Sequence, residues 1–164
     1  MTALIIGKAR HGKDTFALLL AELTGLSFIS SSEFCNARAV YPALKERYGY
    51  SGPDECFVDR VNHREEWKAL ISAYNSPDKA RLAKEMLEEH DFYVGMRCHL
   101  EYEASRSLFD KVVWVDASDR VKKNDPSMSI EYNPHQMIFI DNNGCSKALK
   151  QKAVRLATLW EHEL

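Results

Sequence analysis

The chain has 164 residues, of which 45% are hydrophobic and 28% are charged, and 22 basic against 24 acidic side chains give a formal charge of −2. This length and composition are typical of one globular domain and exclude an intrinsically disordered chain. Without an excess of positive charge, sequence-independent binding to DNA is disfavoured unless the charge is segregated. A small anionic substrate is easier to accommodate.

The four cysteines are far apart and form no CxxC pair, and neither a secretory signal nor a long apolar run is visible. Such cysteines are expected to be reduced thiols. The sequence therefore predicts a cytoplasmic protein without membrane contacts, either monomeric or homodimeric.

Five short apolar runs alternate with helical patterns along the chain. The runs are TALIIG, LSFIS, DFYVG, KVVWVDA and QMIFID, and the first is followed by a loop and by a helix that ends at Gly25. Parallel strands need long crossovers, which helices usually fill. The sequence predicts one domain over 1–164, with a three-layer α/β/α fold of the P-loop kinase type and roughly five parallel strands. Its ligands should bind at the carboxyl ends of the strands.

Two segments between the strands are expected to cover that edge. Residues 33–89 are mostly helical in pattern and predict a helical substrate-binding flap, interrupted by the turn YGYSGPDE and again near Asn75. At the second break Ser76 is predicted to cap a new helix, with Pro77 in its first position. Residues 117–134 are polar and aperiodic, as a short mobile lid would be.

The segment GKARHGKD follows the first predicted strand and opens the first predicted helix, which is the context that a G-x-x-x-x-G-K phosphate loop requires. Glycines let successive amides turn toward phosphate oxygens, and the helix start adds free N–H groups and a positive dipole end. The lysine can bridge the terminal phosphates of ATP. The alternative is a glycine turn with an exposed lysine. The predicted contacts of the nucleotide are Gly7, Lys8, Ala9, Arg10, His11, Gly12, Lys13, Asp14 and Thr15.

The loop departs from the usual pattern because Asp14 stands where a Ser or Thr follows the lysine, and the hydroxyl comes one place later at Thr15. Oxygen ligands suit Mg²⁺, so either residue is a candidate ligand, and Asp14 can alternatively act on the acceptor hydroxyl. Asp116 ends a buried strand and is a third candidate for Mg²⁺ through water, or else a helix cap.

Arginines recur where the phosphate of an acceptor would lie. Guanidinium groups match phosphate oxygens two at a time, and transfer between two anions needs such neutralisation. Arg97 follows a central strand and is the strongest candidate, whereas each of the others could equally lie on a solvated helix face. On one helix Arg60 and Arg64 would share a face with Trp67, which could stack on a base or belong to the core. The predicted substrate contacts are Ser31, Arg38, Arg60, Arg64, Trp67 and Arg97.

Two further candidates lie late in the chain. Arg120, in the predicted lid, could reach the phosphoryl group in transit, or the lid could be a plain basic loop. Asn142, in the turn after the last strand, is predicted to lie near the adenine.

Taken together, GKARHGKDT, DRVNHREEW, YVGMR, VVWVDAS and IDNNG resemble the deoxynucleoside monophosphate kinases of tailed bacteriophages. The last two segments are also similar, more distantly, to dephospho-coenzyme A kinase. The likeness spans nearly the whole chain, and GKDT is itself a feature of the phage enzymes. It implies transfer of the γ-phosphate of ATP, with Mg²⁺, to a deoxynucleoside 5′-monophosphate in the host cytoplasm. It also implies that Arg64 and Arg97 lie near the acceptor phosphate.

Two other functions remain open at this level. Similar phage P-loop kinases phosphorylate 5-hydroxymethyluracil within DNA, and the acidic balance weighs only mildly against that activity. A non-catalytic ATP-binding switch is disfavoured, because a switch needs no second cluster of arginines.

Overall fold

The computed structural model describes residues 1–162, in which five parallel strands form one sheet. The spatial order is β2-β3-β1-β4-β5, so the first strand lies at the centre and each half of the sheet is built by crossovers. The strands are β1 (Ala3–Ile6), β2 (Phe28–Ser30), β3 (Phe92–Val94), β4 (Lys111–Asp116) and β5 (Ile138–Asp141).

Eight α-helices fill the connections within the described residues. They are α1 (Lys13–Thr24), α2 (Ser31–Cys35), α3 (Tyr41–Tyr48), α4 (Pro53–Asp59), α5 (Arg64–Tyr74), α6 (Arg81–Glu89), α7 (His99–Ser105) and α8 (Ser146–Glu161). A π-helical turn, Asn36–Val40, joins α2 to α3, and a 3₁₀ turn, Arg106–Leu108, follows α7. None of these helices in 1–162 is both long and apolar enough to span a membrane.

Helices cover both faces of the sheet, which explains why its central strand is apolar throughout. Successive side chains of a strand point to opposite faces. In β1, Ala3 and Ile5 pack with residues of α1 and α8, whereas Leu4 and Ile6 pack with α2, α6 and α7 on the other face. The α/β fold with a five-stranded parallel sheet predicted from the sequence is confirmed.

The predicted flap divides into two parts. Helices α3, α4 and α5 enclose a small core of their own around Val40, Leu44, Cys56 and Trp67. In contrast, α6 buries its apolar side in the core on the sheet. Residues 36–74, named here the flap core, therefore have a small core of their own, and they contact the core on the sheet through Ile71 and Tyr74.

Two predicted helix features are wrong. Helix α6 begins at Arg81 and not near Ser76, because Asp78 turns the chain first, accepting from the amide of Ala80 at 2.9 Å. Arg60 and Arg64 do not share a helix, because α4 ends at Asp59 and α5 starts only at Arg64. The closing helix is present to Glu161, and residues 163–164, which the prediction included, lie outside the described residues.

Candidate functional site

The loop between β1 and α1 has the backbone that the glycine pattern predicts. Arg10 and Gly12 both adopt positive φ, at 65° and 89°, a region that side chains other than glycine rarely enter. At Gly7 a Cβ would lie 2.4 Å from the carbonyl oxygen of Val115, so the loop can pass β4 only without a side chain there. Among the described residues no side chain caps the start of α1, which leaves its first amides to an anion.

The underside of the loop is fastened to the ends of β4 and β5. His11 is 1% exposed, and its Nδ1 accepts a hydrogen bond from the amide of Ala117 at 2.9 Å. The carbonyl oxygen of His11 accepts from Nδ2 of Asn142 at 2.8 Å. The loop is therefore shaped before any ligand binds.

Burial lowers the pKa of His11, and the nearby Asp116 carboxylate only partly opposes this effect. Lys8 and Arg120 add to the lowering, whereas Asp125 weakly opposes it. Because Nδ1 accepts a hydrogen bond from Ala117, the neutral imidazole is the form that fits.

We expect the protein to lose stability on acidification through His11. In the unfolded chain the histidine takes up a proton near pH 6.5, while the folded protein resists it, so stability falls as the pH falls below about 6.5. His11→Asn, whose side-chain oxygen can accept from Ala117, should flatten this dependence in urea unfolding between pH 5 and 8. His135→Asn, at an exposed position, is the control. Equal pH slopes in wild type and His11→Asn would contradict the assignment.

Lys13 crosses the carboxyl end of the neighbouring strand β3. A Cβ at Gly95, which has φ +100°, would lie 3.1 Å from Oγ of Ser31 and 3.4 Å from Cε of Lys13. The lysine amine lies 3.1 Å from Oδ2 of Asp14, whose side chain is mainly exposed. The missing side chain at Gly95 thus leaves room for the aliphatic part of Lys13 next to the end of β3.

A cleft of about 600 Å³ opens at this point. It runs from the start of α1, across the ends of β2 and β3, to the flap core. Its lining combines cationic, hydroxyl, acidic and apolar groups: Lys13, Asp14, Thr15, Leu18, Phe28, Ser30, Ser31, Ser32, Glu33, Phe57, Arg60, Val94, Gly95 and Arg97. Of the residues proposed from sequence, the structure brings Lys13, Asp14, Thr15, Ser31, Arg60 and Arg97 together here.

The flap core forms one wall of the cleft, where the ring of Phe57 contacts the side chains of Arg60 and Trp67. The guanidinium carbon of Arg60 lies 3.8 Å from the ring centroid of Phe57, and Nη1 donates to the Phe57 carbonyl at 2.6 Å. The ring of Trp67 packs edge-on against Phe57 with centroids 6.1 Å apart. The ring of Phe57 is therefore held in place, with the guanidinium of Arg60 over one of its faces.

Arg97, which also lines the cleft, is linked to the phosphate loop through the carboxylate of Asp125. Oδ2 of Asp125 accepts from Nη1 of Arg97 at 2.9 Å and from the amide of Ala9 at 2.7 Å. Oγ of Ser127 lies 2.5 Å from the same Nη1. Burial raises the pKa of Asp125, but the donors from Ser127, Ala9 and Arg97 outweigh it and leave the pKa below its usual value.

Three residues proposed as acceptor contacts lie away from the cleft lining. Arg38 pairs with Glu89 and lies over the ring of Phe34, so it forms an ordinary surface ion pair. Arg64 is exposed at the start of α5. Trp67 is 5% exposed within the flap core, which corresponds to the core alternative and leaves its ring no open face for a base.

Three other proposed residues support the loop from below. Asn142 is buried, and its side-chain amide donates to the carbonyl of His11. Arg120 donates from Nε to the Asn142 carbonyl at 2.7 Å, and its Nη2 lies beside Gly12. Asp116 accepts from Ser118, with Oδ1 3.5 Å from Nδ1 of His11, and does not line the cleft that the structure describes.

The sequence reasoning missed Asp125, Glu33, Phe57 and Gly95. The pattern Ser30-x-x-Glu33 carried a usable signal: the hydroxyl of Ser30 accepts from the amide of Glu33 at the start of α2 and donates to its carboxylate, which holds Glu33 in the cleft lining. The run Asp125-Pro126-Ser127 was a second signal, because an aspartate that bonds its own backbone two residues on makes a tight turn. Nothing local in the sequence marks Phe57 or Gly95.

Comparison with known proteins gives the fold and little more. No family model matches the sequence, and no curated protein does. Among solved structures the chain is similar to TT1252 from Thermus thermophilus, with 18% identity, a TM-score of 0.53 and coverage of 98% of this chain and 97% of that one. An unliganded sugar kinase from Janibacter sp. HTCC2649 (17% identity, 98% and 94% covered) and a gluconokinase from Sinorhizobium meliloti 1021 (14%, 99% and 96%) each give a TM-score of 0.48. The sheet order and the loop after β1 define a P-loop kinase-type fold.

Proposed function

We propose that this chain is an ATP-dependent kinase that transfers the γ-phosphate of ATP to a deoxynucleoside 5′-monophosphate. One observation carries the proposal: a single cleft is lined by Lys13, Asp14 and Thr15 at the start of α1, by Arg97, and by Arg60 on the ring of Phe57. Transfer between two phosphate esters requires cationic groups for both of them in one site, and Lys13, Arg60 and Arg97 supply such groups here.

The donor half consists of the loop and the start of α1. The amides of the loop and of the start of α1, apart from those of Ala9 and His11, which donate to Asp125 and to the carbonyl of Lys8, are proposed to surround the triphosphate. Lys13 is proposed to neutralise charge that moves between the transferred and leaving groups. The contacts of His11 and Asn142 support this role because they hold the loop backbone in one shape.

Mg²⁺ fits the donor set next to the lysine. The ion is commonly held by one or two protein oxygens together with phosphates and water, where it neutralises the phosphate charge. Asp14 has an exposed carboxylate at this place, and Thr15 adds a hydroxyl on the cleft. Within 1–162, no group of three or more His, Cys, Asp or Glu residues forms a protein-only metal site.

The acceptor half lies between Arg97 and the flap core. Arg97 is proposed to bind the acceptor phosphate, since it lies at the end of β3 next to the loop. Phe57 and Arg60, whose guanidinium lies over the Phe57 ring, both line this end of the cleft and are proposed to contact the base. A cation at one end of the acceptor half and an aromatic ring at the other favour a nucleotide over an open-chain sugar acid, which has no aromatic base to stack.

The test is a labelled-phosphate assay with [γ-³²P]ATP and Mg²⁺. The acceptors are each of the four common deoxynucleoside monophosphates, the matching ribonucleotides, gluconate, and DNA that contains 5-hydroxymethyluracil. We expect labelled diphosphate from at least one deoxynucleoside monophosphate, with stoichiometric ADP.

The other acceptors in this assay distinguish the alternative functions. Label on the modified DNA alone would replace the proposal with DNA hypermodification. Transfer to gluconate alone would make the chain a sugar-acid kinase. ATP binding without transfer to any acceptor would leave the non-catalytic switch.

A further inference from the structure

A buried carboxylate of the lid, the segment 117–134, joins the two halves of the cleft. The side chain of Asp125 is 6% exposed, although most of its neighbours in the lid are open to solvent. Its Oδ2 accepts from Ala9 and from Arg97, and its Oδ1 accepts from the amide and hydroxyl of Ser127 at 3.2 and 2.5 Å. Both carboxylate oxygens therefore have two donors each, so the charge is fully satisfied without a ligand.

The same contacts fix Arg97. One terminal nitrogen of the guanidinium is held by both Asp125 and Ser127, while the side chain lines the cleft and remains 37% exposed. A long side chain that is already held in place loses less conformational freedom when it binds an anion. The planar group is thus presented to the cleft in one orientation.

The lid is fastened on the same side by other contacts. The amide of Ser129 donates to the carbonyl of Arg97 at 2.9 Å, and Ile130 is buried in the core on the sheet. These contacts hold the backbone beside Asp125 against the strand end that carries Arg97. Asp125 lies at a fixed point between the phosphate loop and β3.

We propose that Asp125 is a positioning residue for phosphoryl transfer: it bonds Ala9 and Arg97 through one oxygen and so sets the guanidinium of Arg97 relative to the phosphate loop. This inference rests on the proposed function. Asp125 is not among the residues that line the cleft, and it is proposed to act through Arg97. A misplacement of about 1 Å at such a group is enough to cost up to roughly a hundredfold in rate.

The experiment compares Asp125→Asn with the matched control Asp119→Asn, an exposed carboxylate of the same segment. Asparagine keeps the shape of the side chain and removes its charge. We expect kcat/KM for the acceptor to fall about tenfold in Asp125→Asn, with KM for ATP changed less than about twofold, and wild-type values in Asp119→Asn. Ser127→Ala removes one contact to the same guanidinium and should lower kcat/KM for the acceptor about threefold. This variant provides the test if Asp125→Asn does not fold.

A cycle with Arg97→Ala separates positioning from a purely structural role. If Asp125 acts through Arg97, then Asp125→Asn has no further effect on kcat/KM in the Arg97→Ala background. Additive losses, or an active wild type with unchanged kinetics in both Asp125→Asn and Ser127→Ala, would overturn the inference alone. A wild type that phosphorylates no acceptor would overturn the proposed function and this inference with it.

Discussion

Lys13→Ala is expected to lower kcat by roughly a thousandfold or more, because under the proposed function its amine neutralises charge on the phosphates during transfer. The lysine is 9% exposed and its stem passes Gly95, so alanine also leaves a small gap. Lys13→Met keeps most of that packing and should be equally inactive. The measurement is steady-state turnover of ATP with the best acceptor, together with the melting temperature.

Lys150→Ala, on the exposed side of α8, is the matched control and should retain wild-type turnover. If Lys13→Met kept more than about a tenth of the wild-type rate, the lysine would not act on the phosphates as the proposal requires.

Arg97→Ala is expected to lower kcat/KM for the acceptor about a hundredfold while KM for ATP stays within about twofold. The physical reason is that a guanidinium can contact two phosphate oxygens, whereas alanine leaves the acceptor charge unpaired. Arg97→Lys keeps the positive charge without the planar guanidinium, so its kcat/KM should lie between those of wild type and Arg97→Ala. Initial rates at varied acceptor and saturating ATP give the result.

Arg155→Ala, exposed on α8, serves as the control for the loss of an arginine. An Arg97→Ala enzyme whose loss lay in KM for ATP instead would place this arginine on the donor nucleotide.

The fold was predictable because its strands are uninterrupted apolar runs bounded by turns, and their alternation with helices leaves few other arrangements. The residues of β1, 0% exposed at all four positions, gave the clearest signal. The start of α6 was not predictable from Ser76 and Pro77, since the carboxylate of Asp78 accepts from the amide of Ala80 and turns the chain before the helix begins at Arg81.

The site was most predictable where one short segment supplies several of its residues, although Ser31, Arg60 and Arg97 were also proposed and line the cleft. Lys13, Asp14 and Thr15 are neighbours in the chain, so the loop pattern was sufficient to predict that they lie together. Asp125 is separated from Ala9 by 116 positions, and its partner depends on how the lid crosses the sheet. The contact of Asn142 was unpredictable for the same reason, because the carbonyl that its amide meets belongs to a loop 131 residues earlier.

The flap core has a consequence for how substrate preference can change. Its small interior, with Leu44 and Trp67 as members, is distinct from the two large interiors on the sheet and contacts one of them through Ile71 and Tyr74. Under the proposed function, we expect exchange of residues 36–70, which carry Phe57 and Arg60 and leave Ile71 and Tyr74 in place, to change acceptor preference with little disturbance of the sheet.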